Sequence, residues 1–183
     1  MKSSLFLVAV LVCGLVGAQQ GGLPERVQKL EADNDVLTKS RVAFSAALVD
    51  TNDWTAKGPL EADETLKFER VITNIGNGYD PATGGRDSLR SVRLYYIQVT
   101  GIAGPNGELH AGVKKNGLNM FAIYHKARTQ AGASNAMVLV LEQGDRVYVQ
   151  LWAGKTIVDQ GRLSTFTGFL VFPITTQLRQ IKK

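Results

Sequence analysis

The chain has 183 residues, 44% of them hydrophobic, which suits one domain with appendages and a substantial core rather than two full domains. Its net charge of +5 is spread along the sequence, with no basic stripe interleaved with stacking aromatics, and this argues against a nucleic-acid partner. The N-terminal apolar run is too short to span a bilayer comfortably, and no later stretch approaches the roughly 20 apolar residues that a membrane-spanning helix requires.

The first 18 residues read as a secretory leader. Lys2 precedes an apolar core from Leu5 to Val16, and Val16-Gly17-Ala18 is a small-residue cleavage pattern that places the cut between Ala18 and Gln19. The mature protein is therefore expected outside the cell. The single cysteine, Cys13, falls inside the leader, so stability would rest on core burial and oligomerisation rather than disulfides. No Asn-x-Ser/Thr sequon occurs.

Residues 19–40 form a second segment. Leu23, Leu30 and Leu37 recur at seven, with Val27 and then Asn34 at the other seam position, and Pro24 stands where a first helical turn tolerates it. Two heptads cannot hold helices together alone. The segment reads either as a short coiled coil that reinforces an oligomer, with Asn34 setting register, or as an amphipathic linker helix.

From residue 41 onward the pattern is that of strands. Val42 to Val49 is the first, followed by a loop from Asp50 to Gly58. Asp50 and Asn52 begin like a calcium-binding EF-hand, with Glu61 at its last position, but Trp54 replaces a ligand and Thr55 the glycine, so the match fails and a solvated loop is expected. Leu66 to Asn74 reads as a strand and Ile75 to Gly85 as a loop. Tyr95, Ile97 and Val99 then alternate with Tyr96, Gln98 and Thr100. Gly104-Pro105-Asn106-Gly107 is a turn, and Asn116-Gly117 predicts a tight hairpin between Leu109–Lys114 and Asn119–Lys126.

Met137 to Leu141 is a further strand. Gln143-Gly144-Asp145 turns into Arg146–Trp152, where Val147, Val149 and Leu151 make one face and Tyr148, Gln150 and Trp152 the other. That second face meets another subunit or is covered by the second sheet of the same one. The last strand contains Phe166, Gly168 and the consecutive apolar run Phe169-Leu170-Val171-Phe172, closed by Pro173; such a run predicts burial on both sides. Short, evenly spaced strands without helices between them predict an all-β sandwich or jelly roll.

Several markers resemble the globular domain of complement C1q. They are Phe68, Asn74 and Tyr79 at their spacing, Asp80-Pro81-Ala82-Thr83-Gly84, Lys115-Asn116-Gly117, Ser134-Asn135, the segment from Gly144-Asp145 to Leu151, and Ser164 to Pro173 with Phe166, Gly168, Phe169 and Phe172. The likeness runs from about Val42 to Ile174 in the family's order. It implies a ten-stranded jelly roll of the C1q/TNF superfamily over 41–175 and a trimer closed by apolar and aromatic surfaces; residues 176–183 read as a basic tail. It also implies a secreted recognition module that is not an enzyme. Between Arg86 and Arg93 the chain departs from the family pattern, and one extra loop residue restores Tyr95, Ile97 and Val99 to the apolar face.

Chemistry-bearing motifs are sparse. His110 and His125 fall on neighbouring predicted strands, but a zinc site needs further ligands and no metal is assigned. Some relatives bind calcium, for which Asp50, Asp53 and Asp159 could donate, and no other cofactor is expected. Tyr148 and Trp152 join Leu23, Val27, Leu30, Asn34 and Leu37 as candidate oligomer contacts. Lys114, Lys115, Lys126 and Arg128 fall around the hairpin, either as a solvated face or as a receptor for anionic glycans or lipopolysaccharide phosphates. The expected function is avidity-based binding of microbial or altered-self surfaces by a homotrimer or mixed trimer, with a cerebellin-like receptor ligand as the alternative.

Overall fold

The computed structural model describes residues 22–87, 92–126 and 129–174. The chain divides between Ser40 and Arg41 into two compact units. The first contains helix α1 (Gly22–Lys39), whose last turn is closed by Ser40, its N–H and hydroxyl donating to the Val36 and Leu37 carbonyls. Leu23, Val27, Leu30 and Leu37 are all exposed on it. The expected leader, with its cleavage residues Ala18 and Gln19, and the expected basic tail lie outside the described residues.

In the second unit, alternation of apolar and polar side chains builds two sheets. One has seven strands: β1 (Ala43–Ala47), β2 (Thr55–Lys57), β4 (Arg70–Ile75), β6 (Arg93–Ile102), β9 (Gly132–Leu141), β11 (Ile157–Asp159) and β12 (Thr165–Pro173). The other has five: β3 (Glu64–Thr65), β5 (Gly85–Asp87), β7 (Leu109–Lys115), β8 (Leu118–His125) and β10 (Arg146–Leu151). In the larger sheet β12 lies between β1 and β6, with β4 beyond β1 and β9 on the far side of β6. In the smaller sheet β7 lies between β8 and β10, while β3 and β5 share the other flank of β10.

Core side chains come from alternate positions of both sheets: Phe44 and Ala46, Tyr95, Ile97 and Val99, and Phe166 on one side, against Leu109, Ala111 and Val113, Ile123, and Val147, Val149 and Leu151 on the other. The register expected for Tyr95, Ile97 and Val99 is the one observed, all three being buried. This is the two-layer jelly roll the sequence predicts, and the very short segments β2, β3, β5 and β11 bring the strand count to twelve among the described residues. The hairpin turn is Asn116-Gly117, both at positive φ (51° and 86°), with Lys115 opposite Leu118. That is the type I′ geometry Asn-Gly favours.

Three readings need correction. Asp50 to Gly58 is not all loop, because β2 forms within it by pairing with β11. Leu66 to Glu69 is not strand. There Leu66 N–H donates to Val149 O, Phe68 N–H to the Tyr79 hydroxyl and Glu69 N–H to Leu48 O, so the backbone crosses between sheets without a ladder of its own. The run Phe169 to Phe172 is not buried on both sides. Phe166 and Gly168 face the core, whereas Phe169 and Phe172 are 43% and 44% exposed on the outer face. A bulge between Leu170 and Phe172 lets consecutive apolar residues share the two faces.

Candidate binding surfaces

Most family markers converge on one interior cluster. Phe44 stacks on Tyr79 with ring centroids 5.5 Å apart, and Phe166 packs against Phe44, Phe68 and Tyr79 at 4.9, 5.6 and 6.2 Å. Asn74 clamps the Tyr79 backbone, its Nδ2 donating to Tyr79 O (2.9 Å) and its Oδ1 accepting from Tyr79 N–H (3.1 Å). The Tyr79 hydroxyl accepts from Phe68 N–H at 2.8 Å. Burial pushes the phenol up to about 12, the Asp80 and Glu69 charges add to this, and the Phe68 N–H opposes it. Gly168 is the gap that admits Phe44; a Cβ there would stand 2.6 Å from Phe44 Cε1. These residues make a core rather than a ligand site.

Gly144 (φ 84°) and Asp145 close the turn before β10. The Asp145 carboxylate accepts from Glu142 N–H (2.7 Å) and Asn116 Nδ2 (2.6 Å) and pairs with Lys115 Nζ (2.9 Å). Burial alone would raise the carboxyl, but those donors and the Lys115 charge outweigh it and lower its pKa.

Of the four basic residues, Lys114, Lys115 and Lys126 do not come together. Successive residues of β7 point to opposite faces: Lys115 is bound to Asp145 and Val140 O, while Lys114 lies over the Trp152 ring at 5.5 Å. Lys126 follows His125, which pairs with Leu109, about 17 Å of strand from Lys114. Arg128 lies outside the described residues.

The two histidines are likewise separated. His125 pairs with Leu109 and contacts the Thr129 hydroxyl at 3.1 Å, while His110 pairs with Tyr124 and faces the other way. His110 is half-buried, not exposed, because its ring lies 3.8 Å from that of Trp152 and 5.0 Å from that of Tyr124. Burial, and then the Lys155 charge, lower its pKa. Tyr148, Gln150 and Trp152 lie on the outer face of the five-stranded sheet. Trp152 is covered by its own sheet, His110, Lys114 and the bare backbone of Gly112, rather than by the second sheet.

The three aspartates considered for calcium are also apart in role. Asp159 is fully buried and accepts from Val49 N–H (3.3 Å) and Ser164 N–H (3.1 Å), Asp53 bonds Thr51, and Asp50 approaches Arg70 at 3.9 Å. Among the described residues no group of three His, Cys, Asp or Glu side chains is positioned to share a metal.

Two surfaces stand out instead. The outer face of the seven-stranded sheet is divided along its strands. One half carries Leu94, Tyr96, Val138, Val140, Phe169, Phe172 and Ile75, with Tyr96 stacked on Phe169 at 5.1 Å and Val138 51% exposed. The other half carries hydroxyls and an amide: Ser45 bonds Thr167 (3.1 Å), Ser134 bonds Thr100 (3.0 Å), and Gln98 donates to Ser134 (3.2 Å). Sequence reasoning missed most of this face, although Phe169-Leu170-Val171-Phe172 signals it once the second apolar side is allowed to meet something other than its own core. The second surface is a cavity at one end of the sandwich, lined by Trp54, Glu108 and Lys155 among others, whose residues lie too far apart in sequence to form a motif.

A two-layer jelly roll whose core is built from these family markers is the fold of the C1q/TNF superfamily. The chain belongs to the C1q domain family, whose pattern it matches over residues 43–171. It is 31% identical over 144 residues to one of the polypeptides of the human complement C1q subcomponent, covering 76% of this chain and 53% of that protein. It is 34% identical over 147 residues to zebrafish caprin-2, covering 74% of this chain and 15% of that protein. The chain thus spans about half or less of these relatives. Among solved structures it is similar to the globular domain of zebrafish complement 1qA (TM-score 0.56, 18% identity, 73% of this chain and 99% of that one). It is also similar to the TNF protein Eiger of S. frugiperda (TM-score 0.56, 12% identity, 74% and 95%) and to murine APRIL (TM-score 0.53, 14% identity, 72% and 98%). At those identities the structures establish the fold alone. No helix among the described residues is long and apolar enough to cross a membrane.

Proposed function

We propose that this chain is a secreted, non-enzymatic recognition protein that works as a trimer and binds repetitive microbial or altered-self surfaces. The observation that carries the reading is the outer face of the seven-stranded sheet. Large apolar side chains in such a contiguous patch are uncommon on a protein that stays monomeric. Further copies of the chain are its natural cover, with the Ser/Thr/Gln half of the face supplying hydrogen bonds to the same contact. The exposed heptad positions Leu23, Val27, Leu30 and Leu37 of α1, with Asn34 for register, add a second contact that is too short to act alone. The leader pattern at the N-terminus and the complement relatives support extracellular recognition. Three weak sites on one trimer give the avidity that such recognition needs.

Light scattering of the mature protein tests the assembly. A trimer is expected, and F169S/F172S should return it to monomers with an unchanged far-ultraviolet spectrum; a wild-type monomer overturns the reading. Binding to immobilised bacterial envelope components, compared between trimer and monomeric variant, tests recognition. Saturable binding by the trimer alone supports it, and no binding to any component refutes it.

A further inference from the structure

Where β1 leads to β2, β6 to β7 and β10 to β11, the sandwich end holds a cavity of about 490 Å³. That is the size of a small-ligand site. Trp54, Pro59 and Pro105 give it apolar walls, and Asn106, Glu108 and Lys155 give it polar ones. The loops around it are tied together, Thr156 N–H donating to Glu108 O (2.9 Å) and Gly154 N–H to Leu60 O (2.8 Å), and Lys155 N–H closes its own turn on Trp152 O (3.1 Å). Behind them the buried Asp159–Ser164 clamp fixes the ends of β1 and β6: Ser164 Oγ donates to Val158 O and accepts from Ile102 N–H, and Ser164 O accepts from Leu48 N–H. The site is therefore preformed.

Its chemistry selects a ligand class. Glu108 and Lys155 form a 2.6 Å ion pair within the cavity, so the lining side chains carry no net charge. An isolated phosphate or ammonium ion would have to break that pair and leave one partner unmatched. A neutral molecule with many hydroxyls can instead donate to the carboxylate and accept from the ammonium at once. The Trp54 indole is 39% exposed and offers a flat apolar surface beside these groups. One apolar face with a rim of hydroxyls is the shape of a pyranose ring.

We propose that this cavity binds a single neutral pyranose unit of a surface glycan, with Trp54 against the apolar ring face and Asn106, Glu108 and Lys155 on its hydroxyls. The proposal rests on the recognition function above and names its ligand class. The test uses the full mature chain in ¹H–¹⁵N NMR, where Trp54 and Trp152 each give an indole N–H signal. It is titrated separately with the methyl glycosides of glucose, galactose, mannose and N-acetylglucosamine, and with inorganic phosphate and phosphocholine. At least one glycoside should shift the Trp54 signal saturably and leave Trp152 in place. E108Q should weaken that binding about tenfold or more, and calorimetry on W54A, whose site is in an exposed loop, should show it lost. The proposal is overturned if no glycoside moves Trp54, if phosphate or phosphocholine moves it and sugars do not, or if W54A binds unchanged. Retention on bacterial envelopes separates the two ideas. If W54A is retained like wild type, recognition stands and the cavity assignment falls. If the cavity binds sugar while no envelope retains the protein, the assignment stands and the proposed function falls.

Discussion

Tyr79→Phe isolates one hydrogen bond in the middle of the core. The ring stays, so its contacts with Phe44 and Phe166 persist, but Phe68 N–H loses its acceptor at 2.8 Å in a residue with no solvent exposure. An orphaned buried donor costs about 1–3 kcal/mol. Urea denaturation at pH 7 should therefore show a lower midpoint with an unchanged slope. The phenol adds a second signature. Its folded pKa is about 12 against an ordinary 10, so the folded state holds its proton where the unfolded state has released it. The wild-type stability is full below pH 10 and falls as pH rises from 10 toward 12. Phenylalanine has no such loss, so the gap between the two proteins should narrow by about 0.8 kcal/mol at pH 10.5. A gap that stays constant with pH refutes the buried phenol. No destabilisation at pH 7 refutes the claim that Phe68 N–H depends on Tyr79.

The remaining predictions separate space, backbone and charge. Gly168→Ala places a Cβ 2.6 Å from Phe44 Cε1 and 2.8 Å from Ile97 Cδ1, and thermal unfolding should show a loss of about 1–3 kcal/mol from overpacking alone. Gly117→Ala meets nothing within 4 Å but forces alanine to φ 86°, so its loss of about 1–2 kcal/mol should be purely conformational, and Gly117→Asn should recover part of it. His110 has a lowered pKa, so the folded state resists protonation and stability should fall as pH drops below the ordinary histidine value of 6.5. Trp152 fluorescence should change in the same window, because its ring lies 3.8 Å from the imidazole, and H110N should abolish the change.

Local signals carried the fold further than they carried the surfaces. Asn116-Gly117 dictates its turn through backbone conformation, and the alternation of Tyr95, Ile97 and Val99 dictates a face, so both were legible in sequence. Leu66 to Glu69 looked like a strand because Leu66 and Phe68 alternate inward, but periodicity records side-chain burial and not where the N–H groups find partners. Lys114, Lys115 and Lys126 are close in sequence, and strand alternation with hairpin length separates them. The converse holds for Trp54, Glu108 and Lys155. Their meeting depends on three loops reaching the same end of the sandwich, which no local pattern encodes.

The position of β12 also dictates how the domain comes into being. It follows every other described strand in sequence, yet it lies between the first, β1, and the long β6, and hydrogen-bonds to both. Until Pro173 has been synthesised, β1 and β6 have an empty lane between them and Phe166 is missing from the core cluster. Elongation at about 5–20 residues per second therefore delivers a domain that cannot complete its larger sheet until its final strand has left the ribosome. Folding then waits on the slow closure of end-to-end contacts, and a product truncated before Ser164 should be a substrate for chaperones rather than a smaller domain.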